Sequence, residues 1–210
     1  MNPEGLAAET WAHRMGYRRV AGADEAGRGA LAGPLVAAAV ILPQGAELGG
    51  LRGLDDSKRL SPGRRQELFA RILESAESWS FACVSAAEID GRGLQESNIA
   101  ALREALAGLS PPPDLAVVDY YRVDGLNLPQ WSVVHADRSC RCVAAASILA
   151  KVIRDHLMWH WWVCCPQYGF ERHKGYGTAL HLEAIAEHGP AACHRGSFRR
   201  VAQMELIPRE

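Results

Sequence analysis

The chain has 210 residues, of which 48% are hydrophobic and 22% charged, and its formal net charge at pH 7 is −1. This length suits a single domain with at most a small appendage, and the composition is that of a globular rather than a disordered protein. A net charge near zero argues against strong nonspecific nucleic-acid binding, so any polyanion site must be a local patch.

The predicted elements of the first third begin after an N-terminal lead-in, residues 1–16. Tyr17–Ala23 is a predicted strand, Asp24–Ala32 a glycine-rich turn, and Leu35–Leu42 a continuous apolar run typical of a buried strand. These segments together predict a β-hairpin. Neither the apolar run nor any other segment is long enough to cross a bilayer, and the first ten residues do not resemble a signal peptide.

The middle of the chain alternates helices and strands. Ser61 and Pro62 are typical of a helix start, and they introduce a predicted helix over Arg64–Ser75. A strand over Trp79–Ala86 follows. The next two predictions are a turn at Ile89–Leu94 and a helix at Glu96–Leu109, which ends at the run of prolines at 111–113.

The last ninety residues are predicted to be mostly helical. Short strands are predicted at Leu115–Val118 and Trp131–His135, a long helix at Arg141–Trp162, a loop at Tyr168–Thr178, a helix at Ala179–His188 and a final strand or helix from His194 to Val201. This order predicts an α/β domain over residues 17–201, with a mixed sheet, flanking helices, a helical C-terminal part and a tail at 202–210. The tryptophans at 159, 161 and 162 are expected to lie in the core.

Six cysteines are present, and none forms a Cys-x-x-Cys pair or another standard zinc spacing. We therefore interpret all of them as reduced thiols of a cytoplasmic protein, rather than as disulfides or metal ligands. They are Cys83, Cys140, Cys142, Cys164, Cys165 and Cys193.

Acidic residues follow three predicted strands. Asp24 and Glu25 end the first, Asp119 ends the strand at 115–118, and Asp137 follows the strand at 131–135. Mg²⁺ prefers oxygen ligands, and two such ions about 4 Å apart can assist an in-line phosphoryl displacement. Strand-end acids are more often solvated turn residues, and spacing alone does not decide between these interpretations.

Five blocks of sequence, in order, resemble the signatures of bacterial ribonuclease HII, the type 2 ribonucleases H. They cover roughly residues 17–201, so coincidence is a poor explanation. The blocks are GADEAGRGALAGP at Gly22–Pro34, DSKRLS at Asp56–Ser61, VAAASILAKVIRDHLM at Val143–Met158, YGFERHKGYGT at Tyr168–Thr178 and HRGSF at His194–Phe198.

This resemblance implies a ribonuclease H-like fold and a metal-dependent endonuclease. Such an enzyme hydrolyses the phosphodiester 5′ to a ribonucleotide in duplex DNA, also cuts RNA in RNA–DNA hybrids, and leaves 3′-hydroxyl and 5′-phosphate ends. The implied ligands of Mg²⁺ or Mn²⁺ are Asp24, Glu25, Asp119 and Asp137. Implied roles are ribonucleotide excision and RNA primer removal, and a monomer is the default state.

The resemblance also implies substrate-binding residues. In the loop Gly27, Arg28 and Gly29, backbone groups would read the 2′-hydroxyl that distinguishes RNA from DNA, and Arg28 would bind a nearby phosphate. The ring of Tyr168 would stack on the neighbouring sugar while its hydroxyl contacts the 2′-oxygen. Lys151 and Arg154 share a helix face and would contact substrate or simply pair with acids. Residues expected to bind phosphates are Ser57, Lys58, His173 and Lys174.

Two departures from the family pattern bear on the acids. The family's third acid commonly stands in an Asp-Gly pair, which occurs here at Asp124. We choose Asp119 because it directly follows an apolar strand, whereas Asp124 is expected in a turn.

The fourth acid usually follows Lys-Gly, but here it follows His135 and Ala136. The alanine should be tolerated unless its position needs a positive φ, and His135 could supply the charge only when protonated.

Two other functions remain open from the residues alone. A metal-dependent phosphatase or DNA nuclease could use the same acids, and a DNA nuclease would also cut an all-deoxy duplex. A non-catalytic nucleic-acid-binding module is disfavoured, because clustered carboxylates beside phosphates would weaken binding.

Overall fold

The structure is a computed structural model that describes residues 7–44, 51, 53–54 and 60–205. Five strands and nine α-helices lie within these ranges. The strands are β1 (Val20–Ala26), β2 (Leu35–Ile41), β3 (Ser78–Val84), β4 (Leu115–Asp119) and β5 (Gln130–Val133). The helices are α1 (Ala7–Arg14), α2 (Pro62–Ser75), α3 (Ala86–Arg92), α4 (Leu94–Ala107), α5 (Ala136–Ser139), α6 (Arg141–Cys164), α7 (Phe170–His173), α8 (Ala179–His188) and α9 (Arg199–Glu205).

All five strands form one mixed sheet in the order β3-β2-β1-β4-β5. The antiparallel pairs are β1 with β2 and β2 with β3, whereas β4 runs parallel to both β1 and β5. The predicted hairpin and the predicted mixed sheet are therefore confirmed. Because β1 is the central strand, residues at its carboxyl end lie in the middle of one sheet edge.

Helices cover both faces of the sheet. On one face, α6 packs its small residues, including Ala146 and Ala150, against alternate residues of β1, β2 and β4. The approach is so close that a Cβ atom at Gly22 would lie 2.2 Å from the backbone of Cys142 and Val143. On the other face, α4 packs Leu102 and neighbouring apolar residues against the sheet. Tight packing of α6 on β1 fixes the position of the strand that carries the first two acids.

Several predicted elements differ from the structure. β1 continues to Ala26, so Asp24 and Glu25 lie within a strand, paired with β2, rather than in a turn. The predicted turn at Ile89–Leu94 is wrong, because α3 occupies most of it, starting from a capping box between Ser85 and Glu88. The core placement of Trp159 is also wrong, since its side chain is 55% exposed.

The two chain ends pack onto this core. Ala8 and Ala12 of α1 are buried in the same cluster as α6, so the lead-in contributes a helix. Beyond α6, a 3₁₀ turn at Pro166–Tyr168, α7 and α8 enclose a third apolar cluster, which confirms the helical C-terminal part. Because α9 runs through residue 202, the predicted tail begins inside a helix. In the described part of the chain, no helix has the length and apolarity to cross a bilayer.

Candidate active site

The acidic residues meet at the edge of the sheet where β1 and β4 end. These strands are parallel neighbours with Ala23 opposite Val118, so Asp24 and Asp119 follow at adjacent positions. Asp119 Oδ1 accepts a hydrogen bond from the backbone N–H of Ala136 at 3.1 Å, which holds α5 against the end of β4. Three elements therefore carry the four predicted acids to this edge: Asp24 and Glu25 lie on β1, Asp119 at the end of β4 and Asp137 on α5.

The backbone beside two of these acids has an unusual conformation. Tyr120 and His135 both have a positive φ, of 63° and 57°, which is uncommon for residues with a side chain. Ala136, by contrast, is the buried first residue of α5 and has no positive φ. Its position therefore does not require glycine, and the left-handed backbone falls on His135 instead. Strained conformations of this kind cluster at functional sites.

Electrostatics make Asp24 an unusual carboxyl group. Burial, repulsion from Glu25 and, to a smaller extent, repulsion from Asp119 raise its pKa to about 8, although a hydrogen bond with Ser147 opposes the shift. Like-charged carboxylates repel one another unless a cation lies between them. Among the described residues, no three of the four acids have oxygens within 4.8 Å of one another. A divalent cation would relieve this repulsion, so the donor set fits a hard metal ion.

The glycine loop after β1 has a packed side and an open side. Gly27 has a φ of 93°, and a Cβ atom there would lie 2.0 Å from Nε of Arg154. Gly29 is exposed, and a Cβ atom there would meet no atom within 4 Å. Between them, Arg28 donates to Gln95 at 3.2 Å and lies 4.9 Å from the ring centre of Tyr121. The open side of Gly29 is where another molecule could approach the backbone.

Two buried arginines hold this loop against the C-terminal part. Arg154 donates to the carbonyl oxygens of Pro34, Lys174 and Ala32 at 2.9, 2.9 and 3.1 Å. Arg195 donates to the carbonyls of Gly33 and Arg28. Burial lowers the pKa of both guanidinium groups, that of Arg195 to about 10. Arg154 is fully buried, so a direct substrate contact was the wrong prediction; sequence reasoning did not single out Arg195, although it lies in a matched block.

The remaining predicted substrate-binding residues mostly have partners inside the protein. Lys151 forms an ion pair with Asp155 at 2.7 Å, in accord with the acid-pairing alternative. Lys174 Nζ donates to a backbone carbonyl at 2.6 Å. His173 is buried, and both ring nitrogens bond to backbone groups, so a phosphate contact was the wrong prediction for it. Ser57 and Lys58 lie outside the described residues.

Tyr168 is not placed to stack on a sugar. It is only 3% exposed, its hydroxyl donates to the carbonyl of Gly189 at 2.6 Å, and its ring stacks on Phe170. Tyr176, in the same sequence block, is 37% exposed, and the Arg154 guanidinium lies 5.3 Å from its ring centre. Both tyrosines precede a glycine, so the local sequence did not distinguish them.

Comparisons with known proteins agree with this geometry. The family model described as Ribonuclease HII matches residues 21–201. Ribonuclease HII of Salinispora tropica is 50% identical over 93% of this chain and 72% of its own length. Ribonuclease HII of Geotalea uraniireducens is 46% identical over 96% of this chain and 92% of its own. The crystal structure of ribonuclease H2 from Pyrococcus horikoshii superposes with a TM-score of 0.75 at 27% identity, covering 89% of this chain and 97% of that one. This chain therefore belongs to the ribonuclease HII family and is a ribonuclease H, an endonuclease of the hydrolase class.

Proposed function

We propose that this protein is a divalent-metal-dependent endonuclease that hydrolyses the phosphodiester on the 5′ side of a ribonucleotide within duplex DNA. It also degrades the RNA of RNA–DNA hybrids, and it leaves 3′-hydroxyl and 5′-phosphate ends. The observation that carries the proposal is the meeting of the strand-end acids beside an open glycine loop. The acids suit the chemistry of the cut, and the loop suits recognition of the sugar.

The four acids are the proposed ligands of Mg²⁺ or Mn²⁺: Asp24, Glu25, Asp119 and Asp137. When bound, two such ions would activate the attacking water and neutralise charge on the leaving oxygen. The protein's part is to orient these carboxylates. β1 and β4 fix Asp24 and Asp119, and the hydrogen bond from Ala136 to Asp119 holds α5 in place.

Recognition of the ribonucleotide is proposed to occur at Gly29. Its open side allows a nucleic-acid backbone to approach closely, and main-chain groups of the loop can then bond to the 2′-hydroxyl, which is both donor and acceptor. Arg28, next to it, is suited to bind a phosphate. Tyr176, rather than Tyr168, supplies the proposed stacking ring, because it is exposed and adjoins Arg154 and Lys151.

The remaining proposals concern the phosphate contacts and the cellular setting. Ser57, Lys58 and Lys174 are proposed to bind phosphates flanking the cut. The protein is proposed to act as a monomer in the cytoplasm, in ribonucleotide excision and RNA primer removal.

The deciding experiment compares a labelled DNA duplex that carries one ribonucleotide with its all-deoxy twin, with Mg²⁺, Mn²⁺ or EDTA. We expect metal-dependent cutting 5′ to the ribonucleotide and an intact twin. Cutting of both duplexes would instead identify a general DNA nuclease, and binding without cutting in either metal would identify a non-catalytic module.

A matched pair of variants tests the assignment of the third acid. Asp119→Asn should lower the cleavage rate at least 100-fold, because it removes a proposed metal ligand at the end of β4. Asp124→Asn should leave the rate within about twofold, because Asp124 is exposed in a turn. The opposite ranking would transfer the metal-ligand role to Asp124.

A further inference from the structure

A second group of metal-binding side chains lies where α1 meets the start of α6. It consists of Glu9 on α1 and of Cys140 and Cys142 at the first turn of α6. A carboxylate oxygen of Glu9 and the two sulfur atoms all lie within 4.8 Å of one another. The sulfurs are 3.2 Å apart, and both cysteines are buried. None of these residues belongs to the four strand-end acids.

Local structure explains why the three groups converge. The first turn of α6 has no side-chain cap and no acidic residue of its own. Glu9, which lies outside the helix, supplies the missing capping acceptor, because its Oε1 accepts a hydrogen bond from the backbone N–H of Cys142 at 2.5 Å. A carboxylate has two oxygens with several lone pairs, so accepting this bond leaves Glu9 able to bind a cation as well.

We propose that Glu9, Cys140 and Cys142 bind a thiophilic divalent cation, Zn²⁺ in particular, at a site separate from the catalytic acids. Two thiolates and a carboxylate are ligands that Zn²⁺ accepts, and a water would complete a tetrahedral set. Binding releases the two thiol protons to solvent, and no electrons are transferred. The partial positive charge at the α6 N-terminus favours the resulting thiolates.

The distances require only a small adjustment. With Zn–S bonds of about 2.3 Å in a tetrahedral arrangement, the two sulfurs would be about 3.8 Å apart, so they must separate by roughly half an ångström. A disulfide would need them to close to about 2.0 Å and would require an oxidant. A cation would use all three groups, whereas a disulfide would leave Glu9 only its hydrogen bond to the backbone N–H of Cys142.

The surroundings also favour a cation. Burial, the neighbouring sulfur of Cys140 and the Glu9 carboxylate raise the pKa of the Cys142 thiol well above its usual value. A bound metal ion would offset this destabilisation of the thiolate, because it takes the place of the Cys142 thiol proton. Once bound, it would join α1 to the start of α6, only three residues after Asp137, and would stabilise both against the sheet.

Cobalt titration tests the site directly. Co²⁺ bound by thiolates gives a near-ultraviolet sulfur-to-cobalt charge-transfer band, whereas Co²⁺ bound by carboxylates at the catalytic edge gives none. Reduced protein titrated with Co²⁺ should develop this band to one equivalent, and one equivalent of Zn²⁺ should remove it. Zn²⁺ should also raise the melting temperature by several degrees in the presence of excess Mg²⁺.

Substitutions identify the residues that give rise to the charge-transfer band. Cys140→Ser and Cys142→Ser should abolish it and Glu9→Gln should weaken Co²⁺ binding at least tenfold, whereas Cys164→Ser, an exposed cysteine on the same helix, should leave it unchanged. Absence of the band in reduced wild-type protein would overturn the proposal, even if the variants fail to fold. Persistence of the band in both serine variants would do so too. A thiol count two below six in protein purified without reductant would indicate a disulfide instead.

Discussion

Gly27 and Arg154 are in such close contact that no side chain fits between them: a Cβ atom on Gly27 would lie 2.0 Å from Nε of Arg154. The guanidinium beneath the loop donates in turn to Ala32 and Pro34 at the loop's far end and to Lys174 beside Tyr176. One buried side chain thus fixes the glycine loop and the exposed tyrosine relative to each other. The conformation of the proposed ribonucleotide-binding surface depends on this contact.

Alanine substitutions at the two loop glycines should therefore have different effects. Gly27→Ala forces a methyl group against Arg154 and should cost about 1–3 kcal/mol in overpacking, with roughly 1 kcal/mol more for the positive φ. Gly29→Ala meets open space, so the free energy of unfolding should change by less than about 0.5 kcal/mol. Denaturant unfolding of both variants measures this difference.

Cleavage assays on the same two variants distinguish an effect on folding from an effect on substrate recognition. If Gly29 is where the nucleic acid approaches, Gly29→Ala should lower kcat/KM for the single-ribonucleotide duplex at least tenfold while the protein stays fully folded. Wild-type activity in Gly29→Ala would contradict a substrate contact at this position.

The two tyrosines of the C-terminal block offer a second matched comparison. Tyr168→Phe leaves the buried carbonyl of Gly189 without its hydroxyl donor and should cost about 1–3 kcal/mol of stability, with kcat/KM unchanged at low temperature. Tyr176→Ala should change stability little, because the ring is partly exposed, but should lower kcat/KM at least tenfold. Thermal unfolding and steady-state cleavage measure these effects. Loss of activity confined to Tyr168→Phe would show that Tyr168, rather than Tyr176, contacts the sugar.

Asp24→Asn should inactivate the enzyme and also stabilise the metal-free protein. The pKa of Asp24 rises from 3.8 to about 8 on folding, so its contribution to stability is full below about pH 3.8 and is lost as the pH rises through about 8. Asparagine resembles the protonated acid and lacks this dependence. In EDTA, the melting temperature of the variant should exceed that of wild type by a few degrees near pH 8 and equal it near pH 4.

Metal addition completes that comparison. Mg²⁺ should raise the melting temperature of wild type more than that of Asp24→Asn, because the cation replaces the proton only in wild type. Equal shifts in both proteins would indicate that Asp24 is not a metal ligand.

The sequence was sufficient for the mixed sheet and the long helices, because apolar runs predict buried strands and periodic apolar faces predict helices. It was less exact about where the acids stand relative to the strands, since Asp24 and Glu25 lie within β1 and Asp137 lies on α5. It was not sufficient for side chains whose role depends on burial. Arg154, His173 and Tyr168 stand in blocks that resemble a substrate-binding pattern, yet their polar groups bond to backbone carbonyls or amides inside the protein. Only the packing of α6 and the C-terminal part on the glycine loop shows this.

The same limit applies to the cysteine pair. A Cys-x-Cys spacing matches no standard metal motif, and the third ligand, Glu9, lies more than 130 residues away in sequence. The contact exists because α1 packs beside the start of α6. Tertiary structure, rather than spacing, brings these three residues together.

Acidification should weaken the C-terminal part through a pair of buried histidines. His181 and His194 approach each other at 3.1 Å between their Nε2 atoms, and His181 Nδ1 lies 3.0 Å from the carbonyl oxygen of Tyr176. In the tautomer in which His194 Nδ1 accepts the backbone N–H of Ala191, its Nε2 carries the proton and donates to His181 Nε2, and His181 Nδ1 donates to the carbonyl oxygen of Tyr176. This series of hydrogen bonds requires both rings to be neutral. If either ring gained a second proton, its acceptor nitrogen would become an N–H group facing another N–H group, and that hydrogen bond would be lost.

Burial lowers the pKa of both rings from 6.5 to about 4. Their contribution to stability is therefore full above about pH 6.5 and is lost as the pH falls towards 4, where the unfolded chain binds protons that the folded protein excludes. The melting temperature should fall between pH 7 and pH 5. His194→Gln should flatten this dependence while lowering stability at pH 7, whereas His156→Gln, at an exposed position on α6, should retain the wild-type slope. Identical slopes in all three proteins would show that these histidines do not control the acid sensitivity of the fold.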